Sequence, residues 1–325
     1  MKAPLRILVA EPKDFSDTAL QVLRQAGDVF VDSVSSTVEL THALTEFDVI
    51  LLRLKFSVTG QVLPDRSRCR LLAVPTTGLD HIDLDACAER GIQVISLAGE
   101  REFLRDVRAT AEHTVALALS LMRHLPEAAR SVQQGNWDRD RFRGNELFGK
   151  TAGVVGLGRL GVLTSGYFAA FGMRVLGYDV RDDVGPSPAL KVATMERLLR
   201  ESDLVSVHVS YTPATRHLID QAEFTQMRRG AVLINTSRGG VVNETALLDA
   251  LRSGRLAGAA LDVLDGEPGI DASHPVVQYA QRHGNILITP HIGGNTFESF
   301  EKTEVFIARR ILSTLGIEDL LGPDR

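Results

Sequence analysis

Short apolar runs rich in β-branched residues recur along the chain, with stretches of helical spacing between them. Leu5 to Ala10 and Asp48 to Leu54 are two such runs, and residues 15–26 and 36–45 between them carry apolar positions at helical spacing. Arg70 to Pro75 and Gln93 to Leu97 continue the pattern around a short helix expected from about Asp83 to Arg90, closed by Gly91. Strands separated by helices imply a parallel sheet covered on both faces. Residues 1 to about 100 are therefore expected to form one α/β lobe.

The next stretch, Thr110 to Leu125, is apolar on nearly every side, which predicts a helix buried all round and suits an element wedged between two lobes. Ahead of it, Gly99 to Arg108 carries six charged residues and reads as a solvated connector and a candidate hinge. Alternation resumes with strands at Thr151–Val155, Leu204–Val209, Ala231–Thr236, Gly258–Val263 and Ile286–Thr289. Helices are expected between them at 195–201, 223–227 and 245–251, and a long final helix at about Thr296 to Leu315. This second lobe is a doubly wound sheet, and no repeat, low-complexity tract or appended regulatory domain is expected.

Composition narrows the function classes. A length of 325 residues suits two domains, and a net charge of −5 argues against a general nucleic-acid binder. Arg139, Arg141 and Arg143 are interleaved with Asp138 and Asp140, the pattern of a solvated loop. Cys69 and Cys87 make neither a disulfide framework nor a zinc site, so no metal is expected. The apolar run near the N-terminus is shorter than a signal core, and no stretch reaches the ~18 residues of a membrane span. A cytoplasmic protein without a membrane partner is expected.

Chemistry concentrates in the second lobe. After the strand Thr151–Val155 come Gly156, Gly158 and Gly161 in a G-x-G-x-x-G pattern, then a helix, then a strand closed by Asp179. The first glycine allows a sharp turn, the second lets backbone approach a pyrophosphate, and the third lets the helix pack on its strand. The acid at the end of the next strand is placed to bond an adenosine ribose. A dinucleotide clamp is the reading. By contrast Gly144 to Thr151, GNELFGKT, matches the phosphate loop of nucleotide triphosphatases in letters only, because the strand follows the motif instead of preceding it.

Three polar residues stand in loops just past strand ends, where ligands bind in open α/β sheets. Arg238 is followed by Gly239 and Gly240, Glu267 by Pro268, and His291 is flanked by Pro290 and followed by Gly293 and Gly294. Together they fit one chemistry. Hydride transfer to a carbonyl leaves an alkoxide that a histidine can protonate, a carboxylate beside that histidine would orient it and raise its pKa, and an arginine would anchor an acid group and polarise the carbonyl. Asp262 is placed to accept a hydrogen bond from a nicotinamide amide.

With these residues and the motifs TTGLDHIDLDACAERGI, TAEHTVALAL, GNWDRDRFRGNEL, GKTAGVVGLGRLG, HVSYTPATRHLI, LINTSRGGVVNETALLDAL, AALDVLDGEP and ITPHIGG, the chain resembles the D-isomer-specific 2-hydroxyacid dehydrogenases over nearly its whole length. The resemblance implies a Rossmann NAD-binding lobe, residues 104–294, inserted into a flavodoxin-like substrate lobe, residues 1–103 with 295–325. It implies a catalytic trio of Arg238, Glu267 and His291. It places cofactor contacts at Gly156, Gly158, Arg159, Leu160, Gly161, Asp179, His208, Val209, Ser210, Thr236, Ser237, Asp262, Gly293 and Gly294. Thr77 and Gly78 match the loop that holds a substrate carboxylate. The cofactor implied is NAD, because Asp179 would repel a 2′-phosphate, with Arg181 qualifying that preference. A 2-keto or 2-hydroxy acid of D configuration is the implied substrate, and a homodimer through the NAD-binding lobe the implied assembly.

The chain departs from the family pattern at Arg53–Phe56, at Ser210 and in the longer charged connector. Arg53 or Lys55 would then tune the site for a second anionic group on the substrate, the alternative being that Arg53 supports its own loop. A different class is open on the same scaffold, a dinucleotide-sensing corepressor, although such proteins carry partner-binding segments that are not recognised here.

Overall fold

The computed structural model describes residues 4–184 and 187–322. They fall into two compact units, one within Met1–Val107 and Thr296–Arg325, the other within Arg108–Asn295. The first unit begins with β1 (Leu5–Val9), α1 (Asp17–Leu23), β2 (Gly27–Val31), α2 (Thr37–Glu46), β3 (Val49–Leu51), β4 (Leu71–Val74), α3 (Leu84–Glu89) and β5 (Gln93–Ser96). Its sheet runs β2-β1-β3-β4-β5 and is parallel throughout, the flavodoxin-like order. β3 and β4 are fully buried, which is why they read as unbroken apolar runs. β2 carries no such run because it is a half-exposed edge strand. Gly27 opens it where a Cβ would lie 2.2 Å from the Leu5 carbonyl oxygen, so close pairing with β1 requires glycine. Ser16, Ser36 and Asp83 start the three helices by accepting first-turn N–H groups.

The second unit comprises α4 (Ala109–Met122), α5 (Leu125–Gln133), β6 (Thr151–Val155), α6 (Arg159–Ala170), β7 (Arg174–Tyr178), β8 (Leu190–Lys191), α7 (Met195–Glu201), β9 (Leu204–Val207), α8 (Gln221–Gln226), β10 (Ala231–Asn235), α9 (Glu244–Arg252), β11 (Leu256–Leu261), α10 (Pro275–Ala280) and β12 (Ile286–Ile288). The chain then returns to the first unit as α11 (Phe297–Leu315). The seven strands run β12-β11-β10-β9-β6-β7-β8, all parallel, which is the Rossmann order with one further strand, β12, at an edge. Its switch point lies between β6 and β9, paired from Ala152↔Leu204 to Val155↔Val207.

Two expectations change. α4 is not buried all round: Glu112 and Ala116 are exposed, and its apolar side packs on β10, β11, β12 and α6 within the second unit. Its apolar character serves that unit's own core. Nor is the charged connector simply solvated. Phe103 stacks on Phe306 of α11 at 4.0 Å between ring centroids, and Leu104 is buried. Lys302 donates to the Asp106 carbonyl at 3.0 Å and Arg310 pairs with Glu100 at 3.2 Å. Two apolar side chains among the charges were enough to dock the segment on the last helix. Residues 144–150, the phosphate-loop look-alike, open no helix and lead into β6. Among the described residues, no helix is long and apolar enough to cross a membrane.

Candidate active site

In the second unit the site residues expected from sequence lie in loops at the carboxyl ends of adjacent strands. Along the sheet they follow the order Asp179 after β7, the glycine turn after β6, His208 to Ser210 after β9, Thr236 to Arg238 after β10, Asp262 and Glu267 after β11, and His291 to Gly294 after β12. One row of loops therefore spans six neighbouring strands, the extended form that a dinucleotide needs.

The glycine turn is built for a ligand. Gly156 has φ +92°, and a Cβ there would lie 2.7 Å from the His208 carbonyl oxygen, so the turn closes against the end of β9 only with glycine. A Cβ on Gly161 would lie 1.9 Å from the Gly156 carbonyl oxygen, so this residue lets α6 sit tight on the turn. Among the described residues, a Cβ on Gly158 would meet nothing within 4 Å, and no side chain caps the first turn of α6. That combination of open space and uncapped N–H groups fits a pyrophosphate. Asp179 closes the crevice: its Oδ2 accepts the Leu157 N–H at 2.8 Å, and Arg181 donates to Oδ1 through its N–H at 2.9 Å and Nε at 3.1 Å. Burial would raise the Asp179 carboxyl, but the Arg181 and Leu157 hydrogen bonds outweigh it and hold the group below its ordinary range. Burial lowers the Arg159 guanidinium and draws His208 down to about 4.

His291 and Glu267 are held together by a short contact. His291 Nδ1 lies 2.5 Å from Glu267 Oε2, and Glu267 Oε1 accepts the Leu264 N–H at 2.7 Å, so both carboxylate oxygens are fixed. His291 itself takes a left-handed backbone, φ 54°, held by its N–H donating to the Asp262 carbonyl at 2.8 Å. The Asp262 side chain pins the same loop, accepting the Ile292 N–H at 2.9 Å, the Gly293 N–H at 2.7 Å and the Thr289 hydroxyl at 2.6 Å. A Cβ on Gly293 would come within 2.8 Å of Asp262 Oδ2, which explains that glycine. Burial pushes the Asp262 carboxyl up, yet these bonds together with His113 hold it below its ordinary range. Asp262 is thus first of all the anchor of the histidine loop.

Arg238 is placed by its neighbours. Asn235 donates to the Arg238 carbonyl at 3.0 Å and accepts from the Ser237 N–H and hydroxyl at 3.0 and 2.7 Å. Thr236 meets Thr114 of α4, hydroxyl to hydroxyl, at 2.8 Å. A Cβ on Gly239 would lie 1.9 Å from the Leu264 carbonyl carbon, so the arginine loop is pressed directly against the glutamate loop. Sequence reasoning missed His113, whose Nε2 lies 3.0 Å from the Thr289 hydroxyl and 3.2 Å from Asp262. The available signal was two polar residues, His113 and Thr114, inside an apolar helix, since buried polar groups need partners.

In the first unit the donors of Arg53 are engaged within the protein. Nε and Nη2 reach Glu304, Nη1 donates to the Lys13 carbonyl at 3.0 Å, and the backbone N–H donates to Glu11 at 2.7 Å. Lys55 donates to the Val34 carbonyl at 2.6 Å. These contacts favour loop support over anion binding for both residues. Thr77 is exposed, and Gly78 follows the end of β4 in a turn closed by the Thr76 hydroxyl on its carbonyl at 2.9 Å.

A parallel sheet with a glycine turn at its switch point and a row of polar loops defines a dinucleotide-binding α/β protein. A family model described as "D-isomer specific 2-hydroxyacid dehydrogenase, NAD binding domain" matches residues 115–293. The chain is 33% identical over 314 residues to a D-3-phosphoglycerate dehydrogenase of Methanocaldococcus jannaschii, covering 96% of this chain and 57% of that protein. It is 31% identical to a hydroxypyruvate reductase of Thermotoga maritima, covering 97% of this chain and 100% of that one. The D-lactate dehydrogenase from Aquifex aeolicus complexed with NAD and lactic acid superposes with a TM-score of 0.82 at 28% identity, covering 98% of this chain and 100% of that one. The chain belongs to the D-isomer-specific 2-hydroxyacid dehydrogenase family and carries its NAD-binding domain. It spans a little over half the length of the phosphoglycerate dehydrogenases it matches.

Proposed function

We propose that the protein is an NAD-dependent oxidoreductase that interconverts a D-2-hydroxy acid and its 2-keto acid. The observation that carries this is the 2.5 Å pair of His291 Nδ1 and Glu267 Oε2, set in the same row of loops as the glycine turn. When bound, the nicotinamide supplies or accepts the hydride. With Nδ1 held by the carboxylate, His291 has Nε2 left to give a proton to the substrate oxygen or to take it back. Glu267 fixes the orientation of the ring. Arg238 binds the substrate carboxylate and polarises the carbonyl. Arg159, Leu160, Gly156, Gly158, Gly161 and Asp179 hold the adenosine and pyrophosphate, and the strand-end residues from His208 to Ser210, Thr236, Ser237, Asp262, Gly293 and Gly294 hold the rest of the cofactor. Thr77 and Gly78 are the first unit's own candidates for binding a substrate carboxylate through backbone N–H groups.

The assembly proposed is a homodimer through the NAD-binding unit. Trp137 and Phe148 are 88% and 76% exposed there, with Leu125 and Val132 half exposed along α5. So much apolar surface on one unit suits a second copy better than water.

The test follows NADH absorbance against glyoxylate, hydroxypyruvate, pyruvate, phosphohydroxypyruvate and bulkier keto acids. One of them should oxidise NADH, faster in mildly acidic solution because the reduction consumes a proton, with the reverse reaction favoured in alkali. His291→Asn should cut kcat by about 100-fold or more while NADH still binds, the usual scale of acid-base catalysis. Unchanged turnover in that variant would remove His291 from its role.

A further inference from the structure

A second carboxylate–imidazole pair lies behind the first. Glu244, the first residue of α9, accepts the Asp265 N–H through Oε1 at 2.9 Å, and its Oε2 faces His274 Nε2 at 3.3 Å. His274 is the N-cap of α10, and its Nδ1 is buried without a hydrogen-bond partner among the described residues. Two consecutive N–H groups of the glutamate loop are therefore clamped by two carboxylates, Leu264 by Glu267 and Asp265 by Glu244. From the arginine side Gly239 presses on the same peptide, where a Cβ would lie 2.2 Å from the Asp265 nitrogen. One short segment, Arg238 to Glu244, thus presents the arginine and also grips the loop that carries Glu267.

We propose that Glu244, backed by His274, is a positioning residue for the Glu267–His291 pair, holding the glutamate loop through the Asp265 N–H and favouring the charged imidazole by its own negative charge. The proposal rests on the reading of Glu267 and His291 as the proton-transfer pair. The groups facing Glu244 are His274 from α10 and Asp265 and Glu267 from the loop after β11. Burial first of all, with the like charges of Asp265 and Glu267, raises the Glu244 carboxyl against the opposing pull of the Asp265 N–H and His274. The carboxylates of Glu244, Asp265 and Glu267 share one field, so losing the Glu244 charge is felt by Glu267 and, through it, by the imidazole it bonds.

Two variants separate the clamp from the charge. In Glu244→Gln the amide oxygen still accepts the Asp265 N–H but the charge is gone. Histidine NMR, with the His291 signal assigned by its loss in His291→Asn, should show the imidazole giving up its proton about half a pH unit lower than in the unmodified protein, the scale of one charge acting through partly buried surroundings. The alkaline limb of keto-acid reduction should move by the same amount with the plateau kept. Glu244→Ala also loses the clamp, and its plateau kcat should fall about 10-fold, the cost of a loosened catalytic group. An unmoved midpoint in Glu244→Gln would overturn the electrostatic role, and an unchanged plateau in Glu244→Ala would overturn the clamp. Because the NMR titration needs no turnover, absence of NADH oxidation with every keto acid would sink the dehydrogenase reading alone, and the titration would still decide the coupling.

Discussion

At the scale of single residues, what decides function here is which polar groups are satisfied and by whom. Glu267 has both oxygens fixed, and Asp262 spends its carboxylate on the histidine loop, so neither is free to reorient. His208 is the opposite case. Its Nε2 lies 2.8 Å from the Ser206 hydroxyl, while Nδ1 is buried without a partner among the described residues. Burial draws its pKa down to about 4, below the ordinary 6.5. The unfolded chain then takes up this proton first as pH falls, so stability is lost between about 6.5 and 4. His208→Asn should abolish about 1–2 kcal/mol of the stability lost between pH 7 and pH 5, as measured by urea unfolding at both pH values. An equal pH dependence in both proteins would mean that the ring is solvated. The placement of Arg238, Glu267 and His291 just past strands was legible in the sequence because each follows an apolar run and adjoins Gly or Pro. Glu244 and His113 were not legible, because their partners lie 21 and 149 residues away, at Asp265 and Asp262.

At the scale of elements, the glycines divide into those required by the fold and those that leave room for a ligand. Gly239 belongs to the first kind, with its Cα against the Leu264–Asp265 peptide. Gly239→Ala should cost about 3 kcal/mol, the upper range for overpacking, and separate the arginine loop from the glutamate loop. Gly158 belongs to the second kind. Gly158→Ala should leave thermal stability within about 0.5 kcal/mol of the unmodified protein while weakening NADH binding about 10-fold or more, since only a bound pyrophosphate would meet the methyl group. Calorimetric unfolding and fluorescence titration with NADH decide between them, and equal effects of the two substitutions on binding and stability would refute the division. Elements with a buried apolar face were readable from periodicity, from β1 to α11. Those that were missed, β2, β8, α5 and α10, are short or exposed, so water and an edge position erase the pattern that burial imposes.

At the scale of the whole molecule, the chain builds most of one unit, then all of the other, and completes the first with α11. α11 packs on α1, β4 and β5, so the first unit needs residues from both ends of the chain. The exposed apolar surface of the second unit bears on assembly. Trp137→Glu combined with Phe148→Glu should convert a species of roughly twice the 35.4 kDa chain mass to one of a single chain in analytical ultracentrifugation. An unaltered mass would place the interface elsewhere.

By itself the amino-acid sequence determined the α/β class, the glycine turn with its acid at Asp179, and the three strand-end residues, because those depend on local periodicity and on chemistry tied to strand ends. Only the tertiary structure decided that Arg53 spends its donors on Glu304, Lys13 and Glu11, that the charged connector docks through Phe103, and that Glu244 stands behind Glu267. Each of those outcomes depends on a partner far away in the chain, and a charged residue's local sequence looks the same whether it meets water or a buried carboxylate.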